Sequence, residues 1–436
     1  MKKKKKLIKK KSTGVLYNNF APIGTLANVN HQFGLSMNNT KQVESIKNLR
    51  NNTPNVIIAK CLKMCKFKQN KFVIQTLERK NNYVMTTSMY RALEFDTYST
   101  STNPSKNLES SKTSFKQIYR SYNGQDLTNK RLLIIRTGGI GDLLFILPNL
   151  IYLKEKYPTC KIVFATSPQY HSMLKEWNCV DKVIAMPFSD IEAKISQYHL
   201  IFEGVIERTE EAKKINAYKL FSKWMGLNLP DNKLRPIQKA NIDVKKEVID
   251  ILHNKLNIPQ DQKICVLQLK ASSPIRTPHP KNFWEPVIRL ILTRGFKIVI
   301  TDNPLIHNQI ENIINKYFSF IKDNIYNFTK YSKTISYSIA LAEIADVVVG
   351  TDSSMIHIAE SVGTKNFGFY GPFPGAIRVG NYIHGAWIDG NCECSPCFTH
   401  GHLPCIHGGA NGGCSPCYNT INLLEFKEKF ISLVES

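Results

Sequence analysis

An apolar strand that turns through glycines directly into a helix constrains this chain more than any other feature. Residues 131–135 read Arg-Leu-Leu-Ile-Ile, the next seven are Arg136-Thr137-Gly138-Gly139-Ile140-Gly141-Asp142, and an apolar helical run continues to Pro148. The run at 132–135 is of the kind buried in a parallel sheet. Gly138, Gly139 and Gly141 let the backbone turn tightly and approach a ligand closely. Asp142 then falls in the first helical turn, where its carboxylate serves either as a cap for orphan amides or as a base presented to substrate. The glycines lack the full spacing of a dinucleotide-binding loop, so that ligand class is not indicated.

A second strand-to-helix turn lies far downstream at residues 345–363, followed by Phe367-Gly368-Phe369-Tyr370-Gly371-Pro372-Phe373-Pro374. Here Asp352-Ser353-Ser354-Met355-Ile356-His357 opens the helix. Such a terminus offers free amides to an anion such as phosphate, with Ser353 and Ser354 beside them; the plainer reading is a capped helix with His357 packed inside it. Lys270, Arg276 and Lys281 surround another polar loop at 271–280, as solvated surface or as anion ligands.

Between and around these turns the chain alternates. Strands are expected at 161–165, 180–185 and 200–203, and a helix at 142–156, with a charged helical stretch at 207–227. Pro230 and Pro236 mark a linker. Beyond it, strands at 264–269, 297–300 and 347–350 alternate with helices at 283–294, 305–317 and 335–345. Alternation predicts parallel sheets covered by helices, and two such units in tandem predict a ligand cleft between them. The length of 436 residues is more than one ordinary core requires. The domains expected are 1–129, a basic low-complexity extension; 130–235, an acceptor-side sheet domain; 236–390, a second sheet domain; and 391–436, a Cys-rich segment with a C-terminal helix.

Eight of the first eleven residues are lysine, and Lys and Arg outnumber Asp and Glu by 58 to 34, giving +24. That balance favours anionic partners: phosphates, nucleic acid or lipid headgroups. Residues 56–59 and 72–75 read as strands within the otherwise tail-like extension. No long apolar block follows the lysines and no apolar run reaches a membrane span of about 18 residues, so a cytoplasmic protein is expected, with the basic tail suited to peripheral contact at an anionic membrane face. Cys61, Cys65, Cys160, Cys179 and Cys265 are scattered, as small buried hydrophobes are. Cys394-x-x-Cys397 and Cys414-x-x-Cys417, sixteen residues apart, have the spacing of one structural zinc, with Cys392, Cys405, His400, His402 and His407 as further ligands.

The segment 136–148 and the pair 352–359 and 369–372 resemble the two signatures of glycosyltransferase family 9, whose best-known members are ADP-heptose lipopolysaccharide heptosyltransferases. The resemblance covers residue 130 to about residue 436. It implies the α/β GT-B fold, two Rossmann-like parallel-sheet domains facing a cleft. It further implies an inverting, metal-independent transfer of sugar, heptose in the best-known members, from a nucleotide diphosphate donor to a glycan or lipid-linked acceptor in lipopolysaccharide-type synthesis. Asp142 matches the family's acidic residue proposed as general base. Asp352, Ser353, Ser354 and His357 match its donor-binding segment, with Ser354 where glycine is usual. Lys281, in Lys281-Asn282-Phe283-Trp284, is the nearest counterpart of a Lys-x-Trp element that contacts the diphosphate, and Arg276 is the alternative. The competing expectation is a basic nucleic-acid-binding protein with a zinc-ribbon-like C-terminus.

Overall fold

The computed structural model describes residues 55–62, 64–68, 74–93, 107–203, 206, 209–399, 405, 407 and 415–436. Its strands, in chain order, begin with β1 Val56–Cys61, β2 Cys65–Lys68, β3 Ile74–Leu77, β4 Asn82–Thr86 and β5 Leu108–Ser110. They continue with β6 Arg131–Ile135, β7 Lys161–Thr166, β8 Lys182–Ala185, β9 Phe188–Ser189 and β10 Tyr198–Ile201. The C-terminal half adds β11 Ile264–Gln268, β12 Lys297–Ile300, β13 Ile325–Asn327, β14 Val347–Thr351, β15 Lys365–Tyr370 and β16 Gly385–Asp389. The helices that matter below are α1 Thr87–Leu93, α2 Ile140–Lys156, α3 Ala217–Trp224, α4 Ile335–Ile344, α5 Ser354–Val362, α6 Gly375–Val379 and α7 Leu423–Glu435.

The N-terminal sheet is parallel, in the order β10-β6-β7-β8. β6 carries apolar side chains on both faces because both are covered. Leu132 and Ile134 pack with Leu143, Leu147 and Leu150 of α2, whereas Leu133 and Ile135 face the other way. What covers that second face is a small antiparallel sheet, β5-β1-β4-β9, built mostly within the extension expected over 1–129. Val56, Ile58, Val84 and Met85 meet Leu133, Ile135, Val163, Ala165 and Ile201 in one cluster. Of the two strands expected in this region, the second lies at Ile74–Leu77 and pairs with β2.

The C-terminal sheet has six parallel strands in the order β13-β12-β11-β14-β15-β16. β13 and β16 were not readable: three and five residues long, they offer too little apolar pattern. The charged stretch 207–227 is not one helix; a 3-10 turn at Glu210–Lys213 precedes α3, which Asn216 starts afresh by capping the amide of Tyr218. Glu203, expected inside a strand, lies beyond β10, and its carboxylate is used elsewhere.

In both sheets the chain reverses direction across the sheet once, between β6 and β10 and between β11 and β14. Loops at such a switch point part to leave a crevice at the carboxyl ends of the strands. The glycine turn leaves β6, and the Asp352 turn leaves β14, so each signature occupies its own sheet's crevice. The two halves touch directly through α2 and α5, and their apolar residues form one continuous cluster.

Candidate active site

The glycine turn is braced by two charges that the flanking strands deliver. Arg136, the first residue after β6, is wholly buried; its Nη1 donates to the carbonyl of Phe202 at 2.5 Å and its Nη2 to Oδ2 of Asp142 at 2.6 Å. Glu203 accepts from the amide of Thr137 and, at 2.8 Å, from its hydroxyl, and Ser167 Oγ donates to the Thr137 carbonyl at 2.8 Å. Gly139 takes φ +52, where a side chain would collide with the Asp142 carboxylate. The loop is thus rigid and places Asp142, 20% exposed, at the start of α2. Arg136 engages its Oδ2.

Facing it is the turn after β14. Asp352 is buried, and its carboxylate lies 3.3 Å from Arg276 Nη1 and 3.9 Å from Arg378 Nε, two cations on one anion. Arg276 also donates to the Asp352 carbonyl at 3.0 Å, and Arg378 stacks 4.4 Å over Phe373. Ser353 stands at the N-cap of α5 without making a cap bond, and its hydroxyl, like that of Thr351, is buried with no hydrogen-bond partner among the described residues. The Met355 amide in the first turn of α5 donates to Gln268 Oε1 at 3.3 Å, while Ser353 is unused, so the rest of that positive end faces an anion site. Ser354 is partly exposed at that end.

The two turns meet at His357. A Cβ on Gly141 would lie 2.8 Å from the ring's Cδ2, so glycine is what admits this approach. Phe145 of α2 meets the same ring edge-on at 5.0 Å. His357 Nδ1 is 2.5 Å from the hydroxyl of Tyr382, which is 3.0 Å from that of Tyr218 on α3. Burial pushes the His357 pKa down to about 4, assisted by Arg378 and opposed by Asp352 and Asp142. The ring is therefore neutral near pH 7.

Of the residues singled out in the sequence, Asp142, Gly141, His357, Asp352, Ser353, Ser354 and Arg276 come together here. Lys281 is exposed on the turn Pro280–Trp284, and no hydrogen bond or ion pair among the described residues joins it to Asp352. Sequence reasoning passed over Arg136 as a site residue, and it missed Glu203, Arg378, Tyr218 and Tyr382. A charged residue closing an apolar strand, as Arg136 does, was the available signal. It also missed Asp302, just past β12 at the same sheet edge. One Asp302 oxygen accepts from the amide of Asn303, Oδ2 is buried without a partner among the described residues, and burial raises its pKa to about 6.

The Cys-rich segment packs against the loop after β15 and the backbone of Arg276. Cys417 lies against Gly371, Ser395 Oγ donates to the Gly371 carbonyl at 2.6 Å, and Phe398 donates its amide to Pro372 at 2.9 Å. Tyr418 donates its hydroxyl to the Arg276 carbonyl at 3.3 Å. Cys392 and Cys394 have their sulfurs 3.5 Å apart, and Cys397, Cys405 and Cys417 lie near enough to be felt electrostatically. No three His, Cys, Asp or Glu side chains among the described residues are set to hold a metal ion. Cys414, His400 and His402 lie outside the described residues.

Comparison with known proteins bears on the fold and the enzyme class. The family described as glycosyltransferase family 9 (heptosyltransferase) matches residues 210–402. That stretch of the chain, which spans the C-terminal sheet, is similar to a family 9 glycosyltransferase domain. Solved structures extend the likeness in fold across both sheets. A family 9 glycosyl transferase from Veillonella parvula superposes with a TM-score of 0.55 at 11% identity, covering 72% of this chain and 100% of its own. The ADP-heptose LPS heptosyltransferase II of E. coli gives 0.52 at 14%, covering 70% and 98%. The dodecameric iron-containing heptosyltransferase TibC, solved with ADP-D-beta-D-heptose, gives 0.50 at 9%, covering 88% and 92%. The architecture is GT-B-like. No curated protein sequence matches the chain. Among the described residues no helix is long and apolar enough to cross a membrane.

Proposed function

We propose that this glycosyltransferase moves a sugar, heptose by analogy with its relatives, from a nucleotide diphosphate donor to a glycan or lipopolysaccharide-type acceptor, with inversion at the anomeric carbon. The observation that carries the reading is the approach of the Gly141–Asp142 turn to His357 and the Asp352 turn. It sets a carboxylate on one side of a small space and an anion site on the other. In this reading an acceptor hydroxyl attacks the anomeric carbon while Asp142 takes its proton, and the bond from that carbon to the diphosphate oxygen breaks. Attack from the face opposite the leaving group inverts the centre. Charge gathers on the leaving diphosphate, where the amides of α5, Ser353 and Ser354, and the cations Arg276 and Arg378 stabilise it more than they stabilise the ground state. Arg276 takes the role first assigned between it and Lys281. Asp302, at the carboxyl end of β12, suits the hydroxyls of the donor's ribose.

The domain boundaries that fit this division of labour are an acceptor side at 130–235 and a donor side at 236–390. The Cys-x-x-Cys spacing of Cys394, Cys397, Cys414 and Cys417 suits one structural zinc, which would brace the donor-side turn and take no part in the reaction.

The test is a donor panel: ADP, GDP, UDP and CMP sugars offered to the wild type and Asp142→Ala, reading thermal stabilisation and then donor turnover. The expected result is stabilisation of both proteins by ADP-heptose, with turnover only in the wild type. Failure of every nucleotide sugar to stabilise the protein would sink the proposal.

A further inference from the structure

His357 is held from behind by a relay that crosses between the two halves of the molecule. Tyr218 comes from α3 on the acceptor side, while Tyr382 and His357 belong to the donor side; the hydroxyls are 3.0 Å apart, and Tyr382 is 2.5 Å from His357 Nδ1. Burial holds both phenols far above their usual pKa, so each keeps its single proton. Tyr218 has one hydrogen-bond partner for its hydroxyl among the described residues, the oxygen of Tyr382. Its proton therefore goes there. The proton of Tyr382 must then point to Nδ1, which has to be a bare acceptor. The reverse order, with Nδ1 donating to Tyr382 and Tyr382 to Tyr218, leaves the Tyr218 proton buried and unpaired, an arrangement native interiors avoid.

We propose that Tyr382, backed by Tyr218, is a positioning residue that fixes His357 as the tautomer protonated on Nε2, so that the ring presents a neutral N–H donor to the space beside Gly141 and Asp142. A neutral imidazole whose Nδ1 accepts carries its proton on Nε2. That nitrogen lies on the Gly141 side, 3.2 Å from where a Cβ would stand, and bonds no described residue. The inference rests on the transferase reading for its purpose: an N–H at this point can hydrogen-bond the sugar or the leaving phosphate. Because the ring is neutral and gives up no proton, it does not compete with Asp142 for the role of base. The relay draws on both halves, with Tyr218 from α3 and Tyr382 from the other side.

The test is a two-bond proton–nitrogen spectrum of the full chain labelled with nitrogen-15 histidine, with the His357 signals assigned by their loss in His357→Gln. The expected pattern is a protonated Nε2 and an accepting Nδ1. In Tyr382→Phe the Nδ1 signal should move downfield as its donor is lost, and in Tyr218→Phe it should move less. With ADP-heptose as donor, Tyr382→Phe should lower kcat about tenfold with KM for the donor little changed, the mark of a lost transition-state contact. His357→Gln, which can place an N–H near Nε2, should keep more activity than His357→Asn. A proton on Nδ1 in the wild type, or an Nδ1 signal unmoved in Tyr382→Phe, overturns the inference even in an active enzyme. The expected spectrum in a protein that turns over no nucleotide sugar would overturn the transferase reading instead and leave the tautomer standing.

Discussion

Under the proposed reaction Asp142 would be at once structural and chemical. Its partner Arg136 is wholly buried, and disturbing a buried ion pair costs up to about 3–5 kcal/mol. An inactive Asp142→Ala would therefore be ambiguous without a stability measurement beside it, which is why ligand-induced stabilisation is read in both proteins. Asp302 gives a cleaner case. Burial raises its pKa from 3.8 to about 6. A carboxyl whose folded pKa is raised favours the fold while protonated, so that contribution is complete below its unfolded pKa near 4 and is lost as pH rises through about 6. Asp302→Asn should accordingly match the wild type in stability at pH 4 and exceed it by up to about 3 kcal/mol at pH 8, measured by denaturant unfolding without ligand. The same variant should bind ADP more weakly if the carboxylate reads the ribose. Equal stability at both pH values would show that Asp302 ionises without penalty.

At the scale of elements, the decisive packing is α2 against α5. The sequence made both helices legible, because each follows an apolar strand through small or polar residues, and it pointed to Asp142 and to the 352–357 turn. It could not show that Gly141 exists to admit the His357 ring, since that need arises only from the docking of two halves more than two hundred residues apart in the chain. Nor could it show Tyr218, Tyr382 or Arg378, which carry no motif and matter only through what they touch. Gly141→Ala tests the docking: a methyl 2.8 Å from the ring forces the helices apart and should cost about 1–3 kcal/mol, with activity reduced. Adding His357→Ala should recover much of that stability, a coupling visible in a double-mutant cycle. Additive losses would mean that the two residues do not meet. The Cys-rich segment makes a similar claim on the proposed donor turn, through Phe398 to Pro372 and Tyr418 to Arg276. Stripping any bound metal with a chelator should lower the melting temperature and weaken ADP binding about tenfold together, by loosening those anchors. Unchanged affinity after proven metal loss would leave the segment a remote appendage.

At the scale of the whole molecule, the two sheets explain the transferase but leave the N-terminal region and the charge unexplained. The small antiparallel sheet has a packing role: it covers the second face of the N-terminal parallel sheet, hiding Leu133, Ile135 and Val163. That leaves the basic end of the chain, with eight lysines in its first eleven residues and a net charge of +24 overall. If the acceptor is built on a lipid, as proposed, the physical use of such a tail would be to lower the search for substrate from three dimensions to two. Each lysine near an anionic surface is worth about 1 kcal/mol, an attraction that salt weakens because screening sets in at roughly 8 Å in physiological buffer. The full chain should float with phosphatidylserine vesicles at low salt and lose most of that binding when residues 2–11 are removed, while turnover of a soluble donor stays unchanged. Retention on duplex DNA with a steep salt dependence, and no flotation, would instead assign the tail to nucleic acid, because the same cations neutralising regularly spaced phosphates release counterions in proportion to the contacts made.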